Sequence, residues 1–107
     1  QGDANAYLCR LFPLCDSPPA VINMTGPENL SVRQLALQLG AALGKEPIFA
    51  GQESETALLG DAARLLSRLG PPTVSIPQII QWLAHWVQIG GPSLGKPTKY
   101  ESRSGKF

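Results

Sequence analysis

The sequence has few of the residues that build metal centres: two cysteines and one histidine among 107 residues. Cys9 and Cys15 stand six positions apart, and on a helix a rise of about 1.5 Å per residue separates their Cα atoms by roughly 9 Å, too far for a disulfide. We therefore expect both thiols to be reduced and buried. With His85 as the single histidine, no recognisable metal-ligand spacing is present, and we predict no metal site.

Charge of either sign is also scarce. Nine Lys and Arg against eight Asp and Glu leave a net charge of +1, too small to build the potential that attracts a nucleic acid or an anionic membrane. No apolar run approaches the ~20 residues of a membrane span, and the chain does not open with a charged and then apolar leader. We predict no nucleic-acid partner, no membrane partner and a cytoplasmic location.

Glycine-rich phosphate loops are missing as well. Neither G-x-G-x-x-G nor a Walker pattern occurs, and Gly26 is followed by Pro27, which removes an amide donor where a phosphate would need one. The G-x-x-x-G from Gly40 to Gly44 lies within a helical pattern, where it allows close approach of a neighbouring backbone. We therefore expect no active site within this chain.

Helix signals, in contrast, are plentiful. Asp3 stands at the start of a first helical pattern, which Pro13 should kink or end. Ser31 and Ser75 each open an S-x-x-Q capping box, and Asp61 opens a short helix that ends at a glycine. The predicted buried stripe of the last helix comprises Ile79, Ile80, Leu83, Trp86 and Val87. Its opposite face, which includes His85, is expected to be solvated.

Two short segments favour strands: residues 21–24 (VINM) and residues 47–51 (PIFAG). Residues 21–24 are apolar without alternation, which is typical of a strand buried on both faces. The predicted fold class is therefore α/β and helix-dominated, with about four helices and one or two short strands. We expect one domain over residues 1–89, followed by an extended basic tail over residues 90–107.

Four segments resemble a known family. In order they are "GDANAYLCR", "VINMTGPENLSVRQLALQLGAALGKEPIF", "LLGDAARLLSRLG" and "SIPQIIQWLAHWV". They resemble the C-terminal third of the NAD-dependent epimerase/dehydratase family, the extended short-chain dehydrogenases. The family motifs fall on Asp3, on 23–26 ("y-N-v-t-G"), on 31–35 ("s-v-r-e-l"), on 61–70 ("D-x-s-r" to "L-G") and on 75–82.

The resemblance implies that this chain is the substrate-side segment of a Rossmann-type parent enzyme. The parent would bind NAD or NADP and act on a sugar or a sugar-nucleotide-like substrate. Its glycine-rich coenzyme loop and its Tyr-x-x-x-Lys pair would lie outside this chain, since neither Tyr7 nor Tyr100 has a Lys four residues later. The segment alone is expected to be inactive and to bind no coenzyme.

The chain departs from nucleotide-sugar epimerases at "GQESETALLGD". Those enzymes usually place an Arg there that pairs with the substrate diphosphate, whereas this stretch has Glu53 and Glu55 and no Arg. A standard UDP- or GDP-sugar is therefore not expected unless another part of the parent supplies an Arg. Candidate substrate-facing residues are Glu53, Glu55, Asp61 and Asn23. The alternatives are a solvated turn for the acids and a strand-end hydrogen bond for Asn23.

Two further predictions concern association. An isolated segment would leave the strand 21–24 without neighbours, so we expect self-association through its unpaired edge. The alternative to the enzyme hypothesis is a stand-alone helical module that binds a partner protein through the stripe of the last helix or through the basic tail.

Overall fold

The structure, a computed structural model, describes residues 1–96, and within that range it contains four α-helices and no strand. The helices are α1 (Gly2–Leu11), α2 (Val32–Leu43), α3 (Ala63–Leu69) and α4 (Ile76–Gln88), and a short 3-10 helix, Phe12–Leu14, follows α1. None of these helices has the length and apolar character needed to cross a membrane.

The helices begin and end where local signals predict. The Ser31 hydroxyl accepts a hydrogen bond from the Gln34 amide at 3.4 Å, and Ser75 accepts one from the Gln78 amide at 3.4 Å. Gly44, with φ of 64°, ends α2 in the left-handed conformation that glycine adopts without strain. The two hydroxyl caps and the glycine stop are thus confirmed.

The predicted α/β fold is wrong. Residues 21–24 and 47–51 are irregular, so within residues 1–96 no sheet exists and the chain is helical throughout its regular structure. The Val21 carbonyl accepts a hydrogen bond from the Arg64 side chain at 2.9 Å instead of from a neighbouring strand. A strand needs a partner strand to satisfy its backbone, and the described chain supplies none. The predicted self-association through residues 21–24 therefore loses its structural premise.

Packing is centred on the contact between α2 and α4. Ile80 and Ala84 lie buried on the α2 side of α4, and the Gln88 side-chain amide donates to the Ala42 carbonyl at 3.2 Å. Gly40 of α2 is buried because the Lys45 carbonyl and Pro47 lie directly over its Cα. The predicted close backbone approach at Gly40 is confirmed, although the neighbour is the chain that leaves α2.

Very few apolar side chains of residues 1–96 are buried. They are Tyr7, Ala62, Leu65, Ile80 and Ala84. Eighteen large hydrophobic residues of the described chain are exposed by 37% or more, including Ile48 at 95%. This ratio is the reverse of what a self-sufficient domain shows, in which the large aliphatic residues form the core.

The burial predicted for the last helix is correct only in part. Ile80 is buried as expected, but Ile79, Leu83, Trp86 and Val87 are exposed. The apolar arc of α4 is wide, and α2 covers only the part around Ile80 and Ala84. Gln78, Gln81 and His85 lie exposed on the remaining face, as predicted, whereas the Gln88 side chain, predicted to lie there too, bonds to the Ala42 carbonyl of α2.

The cysteine prediction is half wrong. Cys9 and Cys15 are free thiols, as expected, but both are exposed rather than buried. Tyr7 is the one buried residue of α1, so most of the surface of this helix, Cys9 included, faces solvent. The predicted basic tail begins at Gly90, and from there to Lys96 the chain is irregular; residues 97–107 lie outside the described part.

Candidate functional site

An apolar groove, called here the α1–α4 groove, lies between the start of α1, the irregular segment before α2 and the residues that lead into α4. It has a volume of about 280 Å³. Its walls come from α1 (Asp3, Ala4, Tyr7), from the irregular segment 24–30, and from Pro72, Val74, Ile76 and Ile79. The groove is therefore built from three separate stretches of sequence, and two polar contacts join α1 to the residues between α3 and α4.

The first contact is the Asp3 carboxylate, which binds the loop before α4. Asp3 Oδ1 accepts from the Thr73 hydroxyl at 2.6 Å and from the Thr73 amide at 3.0 Å, and Oδ2 accepts from the Val74 amide at 3.1 Å. These hydrogen bonds hold the pKa of Asp3 below its ordinary value. The bond from the Thr73 hydroxyl contributes most, followed by the bonds from the Thr73 and Val74 amides. The sequence suggested that Asp3 caps its own helix. Instead, its carboxylate binds a loop 70 residues away.

The second contact is made by Tyr7. Its ring is buried and its hydroxyl donates to the Gly70 carbonyl at 2.9 Å, at the end of α3. A hydroxyl held in this way satisfies a helix-terminal carbonyl, which is a structural role. We therefore assign Tyr7 this structural role and do not count it as a catalytic tyrosine.

Asn23 and Asp61, two of the four candidate site residues, are brought together. The Asn23 side-chain amide donates to the Asp61 carbonyl at 3.3 Å, and the Asp61 carboxylate accepts from the Ala63 amide at 2.8 Å in front of α3. Arg64 adds its bond to the Val21 carbonyl. The segment around Asn23 is thus attached to the start of α3, and Asp61 lines a second cavity of about 450 Å³.

Glu53 and Glu55 lie in the irregular segment between α2 and α3. Glu53 pairs with Arg33 of α2 at 2.6 Å, and the Arg33 guanidinium also lies 4.2 Å from the centre of the Phe49 ring. Both partners of the ion pair are well exposed, so its contribution to stability is at most about 1 kcal/mol. Glu53 is therefore already engaged, whereas Glu55 is an exposed carboxylate of the same loop.

The arrangement provides packing contacts rather than reactive groups. Within residues 1–96 no group of three or more His, Cys, Asp or Glu side chains could hold a metal ion. The Tyr7 hydroxyl and the Asp3 carboxylate are both occupied by structural hydrogen bonds. What the described residues present outward is apolar surface, in the α1–α4 groove and along α4.

The sequence located an apolar stripe on α4 but predicted it to be buried and did not include Trp82, whereas the structure leaves a row of apolar side chains exposed there. Ile79, Trp82, Leu83 and Trp86 stand at i, i+3, i+4 and i+7, and are named here the α4 stripe. Their exposed fractions are 37, 56, 51 and 47%. The helical period was visible in the sequence, but it could not tell which part of a wide apolar arc α2 would cover.

Comparison of the chain with protein-family models, with curated proteins and with solved structures gives no match.

Proposed function

We propose that this chain is the non-catalytic, substrate-side flank of an NAD(P)-dependent epimerase/dehydratase-like enzyme. The observation that carries the proposal is the exposed apolar surface: residues 1–96 contain five buried apolar residues and eighteen large exposed ones, and such a surface needs a second one to pack against. In this hypothesis the coenzyme-binding part of the parent supplies that surface, and NAD or NADP and the reacting groups belong to it.

The contacts between the segments that resemble the family support the proposal. The "N-x-T-G" segment meets the start of the "D-A-A-R" segment through Asn23, Arg64 and the close approach of Thr25 to Gly60. The Asp3 segment meets the loop before α4 through Thr73. The second and third segments are thus joined directly by hydrogen bonds, and the first segment is bonded to the loop that leads into the fourth.

The substrate in this proposal is a small polar molecule of the sugar class, handled by a parent located in the cytoplasm. Of the candidate residues, Glu55 is the one to test, because Glu53 is paired with Arg33 and Asp61 caps α3. In the parent enzyme Glu55→Gln should raise KM for the substrate, and Glu46→Gln, an equivalent change at another exposed glutamate, should not. Equal KM values for both variants would remove Glu55 from the candidates.

The decisive test of the proposal is the coding sequence ahead of Gln1. The proposal predicts a strand followed by G-x-x-G-x-x-G and, further on, Tyr-x-x-x-Lys. An initiator methionine directly before Gln1 would contradict it. Calorimetric titration of this chain with NAD and NADP adds a second arm: no binding is expected, and tight binding would overturn the assignment of the coenzyme site to the rest of the parent.

A second candidate function is a stand-alone helical module that binds a partner protein. The α4 stripe favours it, because two half-exposed tryptophans on one helix face are typical of interface centres. The two functions differ in what covers the apolar surface, the same polypeptide or another one. The coding sequence distinguishes them.

A further inference from the structure

We propose that two copies of this chain associate through a symmetric contact between their α4 stripes. The α4 stripe is one part of the exposed apolar surface, and the other exposed apolar residues remain for the second surface that the proposed parent would supply. The proposed contact replaces the predicted association through residues 21–24, which do not form a strand.

The stripe is a distinct surface on the structured part of the molecule. Ile79, Trp82, Leu83 and Trp86 follow one another over two helical turns, while Ile80 and Ala84 hold the same helix against α2. α4 is therefore packed on one side and, within residues 1–96, about half-exposed on the other. Beside the stripe, a groove of about 430 Å³ lined by Val74, Ile79 and Trp82 provides room for an inserted side chain.

Trp86 is held in place before any partner arrives. Its indole N–H donates to the Pro92 carbonyl at 3.2 Å, and its ring lies so close to Gly91 that no Cβ fits between them. A side chain that is already immobilised loses less conformational entropy on association, so the exposed half of this ring is a favourable contact surface.

The charge distribution permits contact with a second copy. A two-fold contact places the same surface against itself, so any charge at its centre would meet a like charge. α4 contains no Asp, Glu, Lys or Arg from Ile76 to Gln88. Asp3 borders the adjacent groove, but its carboxylate is bound to Thr73 and Val74.

The other exposed apolar residues lack this self-complementarity. Ile48, Phe49 and Leu58 lie in an irregular segment that also carries Glu46, Glu53 and Glu55. Glu53 is paired with Arg33, but Glu46 and Glu55 of two such segments in contact would still repel each other, whereas a complementary surface of different composition could accept them. The α4 stripe is therefore the surface on which a second copy fits.

The available area matches a weak dimer. The stripe, with half-exposed Val87 and Ile89 at its edge, offers on the order of 500 Å² per copy, so two copies would bury on the order of 1,000 Å². That is the lower bound for a specific interface. We expect a dissociation constant on the order of micromolar, with partial dimer at the concentrations used for ultracentrifugation.

The test combines sedimentation with intrinsic fluorescence from about 1 to 200 µM, a range that spans the expected dissociation constant. Both tryptophans of the chain lie in the stripe, so their emission should shift to shorter wavelength as the dimer forms. Trp82→Glu and, independently, Leu83→Glu should weaken association at least tenfold while far-UV circular dichroism stays helical.

Two matched variants complete the design. Ile48→Glu removes an apolar residue that is 95% exposed outside the stripe, and Val21→Glu tests the segment first predicted to associate. Both should leave the dimer unchanged. A wild-type chain that remains monomeric at 200 µM, a dimer that survives both stripe substitutions, or a dimer lost in Val21→Glu would each overturn the proposal.

Discussion

The Asp3 carboxylate and Thr73, 70 positions apart in the sequence, are joined by two hydrogen bonds, from the hydroxyl at 2.6 Å and from the amide at 3.0 Å. Together with the Val74 amide they fix the loop that leads into α4 to the first turn of α1. This one carboxylate therefore sets the position of the α1–α4 groove.

The first prediction concerns the pH dependence of folding. Because the folded-state pKa of Asp3 is lowered below its ordinary value of 3.8, its stabilising contribution is present above that value and is lost as pH falls through the folded-state pKa. Asp3→Asn cannot titrate and cannot accept all three bonds in the same way. We expect a lower Tm near neutral pH and a smaller difference in Tm between pH 6 and pH 2.5.

Thermal unfolding followed by circular dichroism measures both effects. Glu46→Gln serves as the control, since it removes an exposed carboxylate and should keep the acid sensitivity of the wild type. If Asp3→Asn retained the wild-type acid sensitivity, the hydrogen bonds to Thr73 and Val74 would not hold the pKa down in solution.

A second prediction addresses Gly40. A Cβ at this position would stand 2.5 Å from the Lys45 carbonyl oxygen and 2.9 Å from Pro47 Cδ. Alanine gains about 1 kcal/mol over glycine in a helix, but overpacking against backbone costs about 1–3 kcal/mol, so Gly40→Ala should lower the free energy of unfolding. Urea denaturation gives the value.

Gly2→Ala is the matched control for that substitution. Gly2 is also helical, and a Cβ there would meet nothing within 4 Å. It should be neutral or slightly stabilising. Should Gly40→Ala stabilise the chain to the same degree, the close approach of Lys45 to α2 would be wrong.

A third prediction concerns the attachment of the segment around Asn23. Arg64→Ala removes the bond to the Val21 carbonyl, and Asn23→Ala removes the bond to the Asp61 carbonyl. Both bonds are exposed, so each should cost only about 0.5–1.5 kcal/mol. Because the effect is local, amide hydrogen exchange in residues 20–26 should accelerate more than exchange in α2.

Arg68→Ala provides the comparison, one helical turn further along α3. Arg68 is an exposed arginine of the same helix that makes no side-chain hydrogen bond to residues 20–26. Its replacement should leave exchange there unchanged. Equal acceleration in the Arg64 and Arg68 variants would indicate a general loosening of α3 instead of the loss of one specific contact.

Local features of the fold were predictable from the sequence, and features that depend on distant residues were not. Ser31, Ser75 and Gly44 act within a single turn, so helix ends could be predicted at these positions. Residues 21–24 have strand composition, but a strand requires a neighbour that local sequence does not reveal. No local sequence signal indicates the hydrogen bonds between Asp3 and Thr73.

The α4 stripe shows the same limit for the candidate site. Ile79, Ile80 and Leu83 all belong to one wide apolar arc, and the helical period predicted correctly that the arc would avoid Gln81 and His85. Which part of the arc is buried depends on where α2 lies. The resemblance to the epimerase/dehydratase family indicated which segments match its motifs, but it could not show that Asn23 would bond to the Asp61 carbonyl.

The most direct measurement of the central claim is the heat capacity change of unfolding, determined by calorimetry at a concentration where ultracentrifugation shows monomer. A self-sufficient domain of 107 residues gives about 1.4 kcal/mol/K, because unfolding exposes a buried apolar core. With so few apolar side chains buried, the account predicts a value below about 1 kcal/mol/K. A monomer with the full value would show that the apolar surface is buried within the chain itself and needs no second surface.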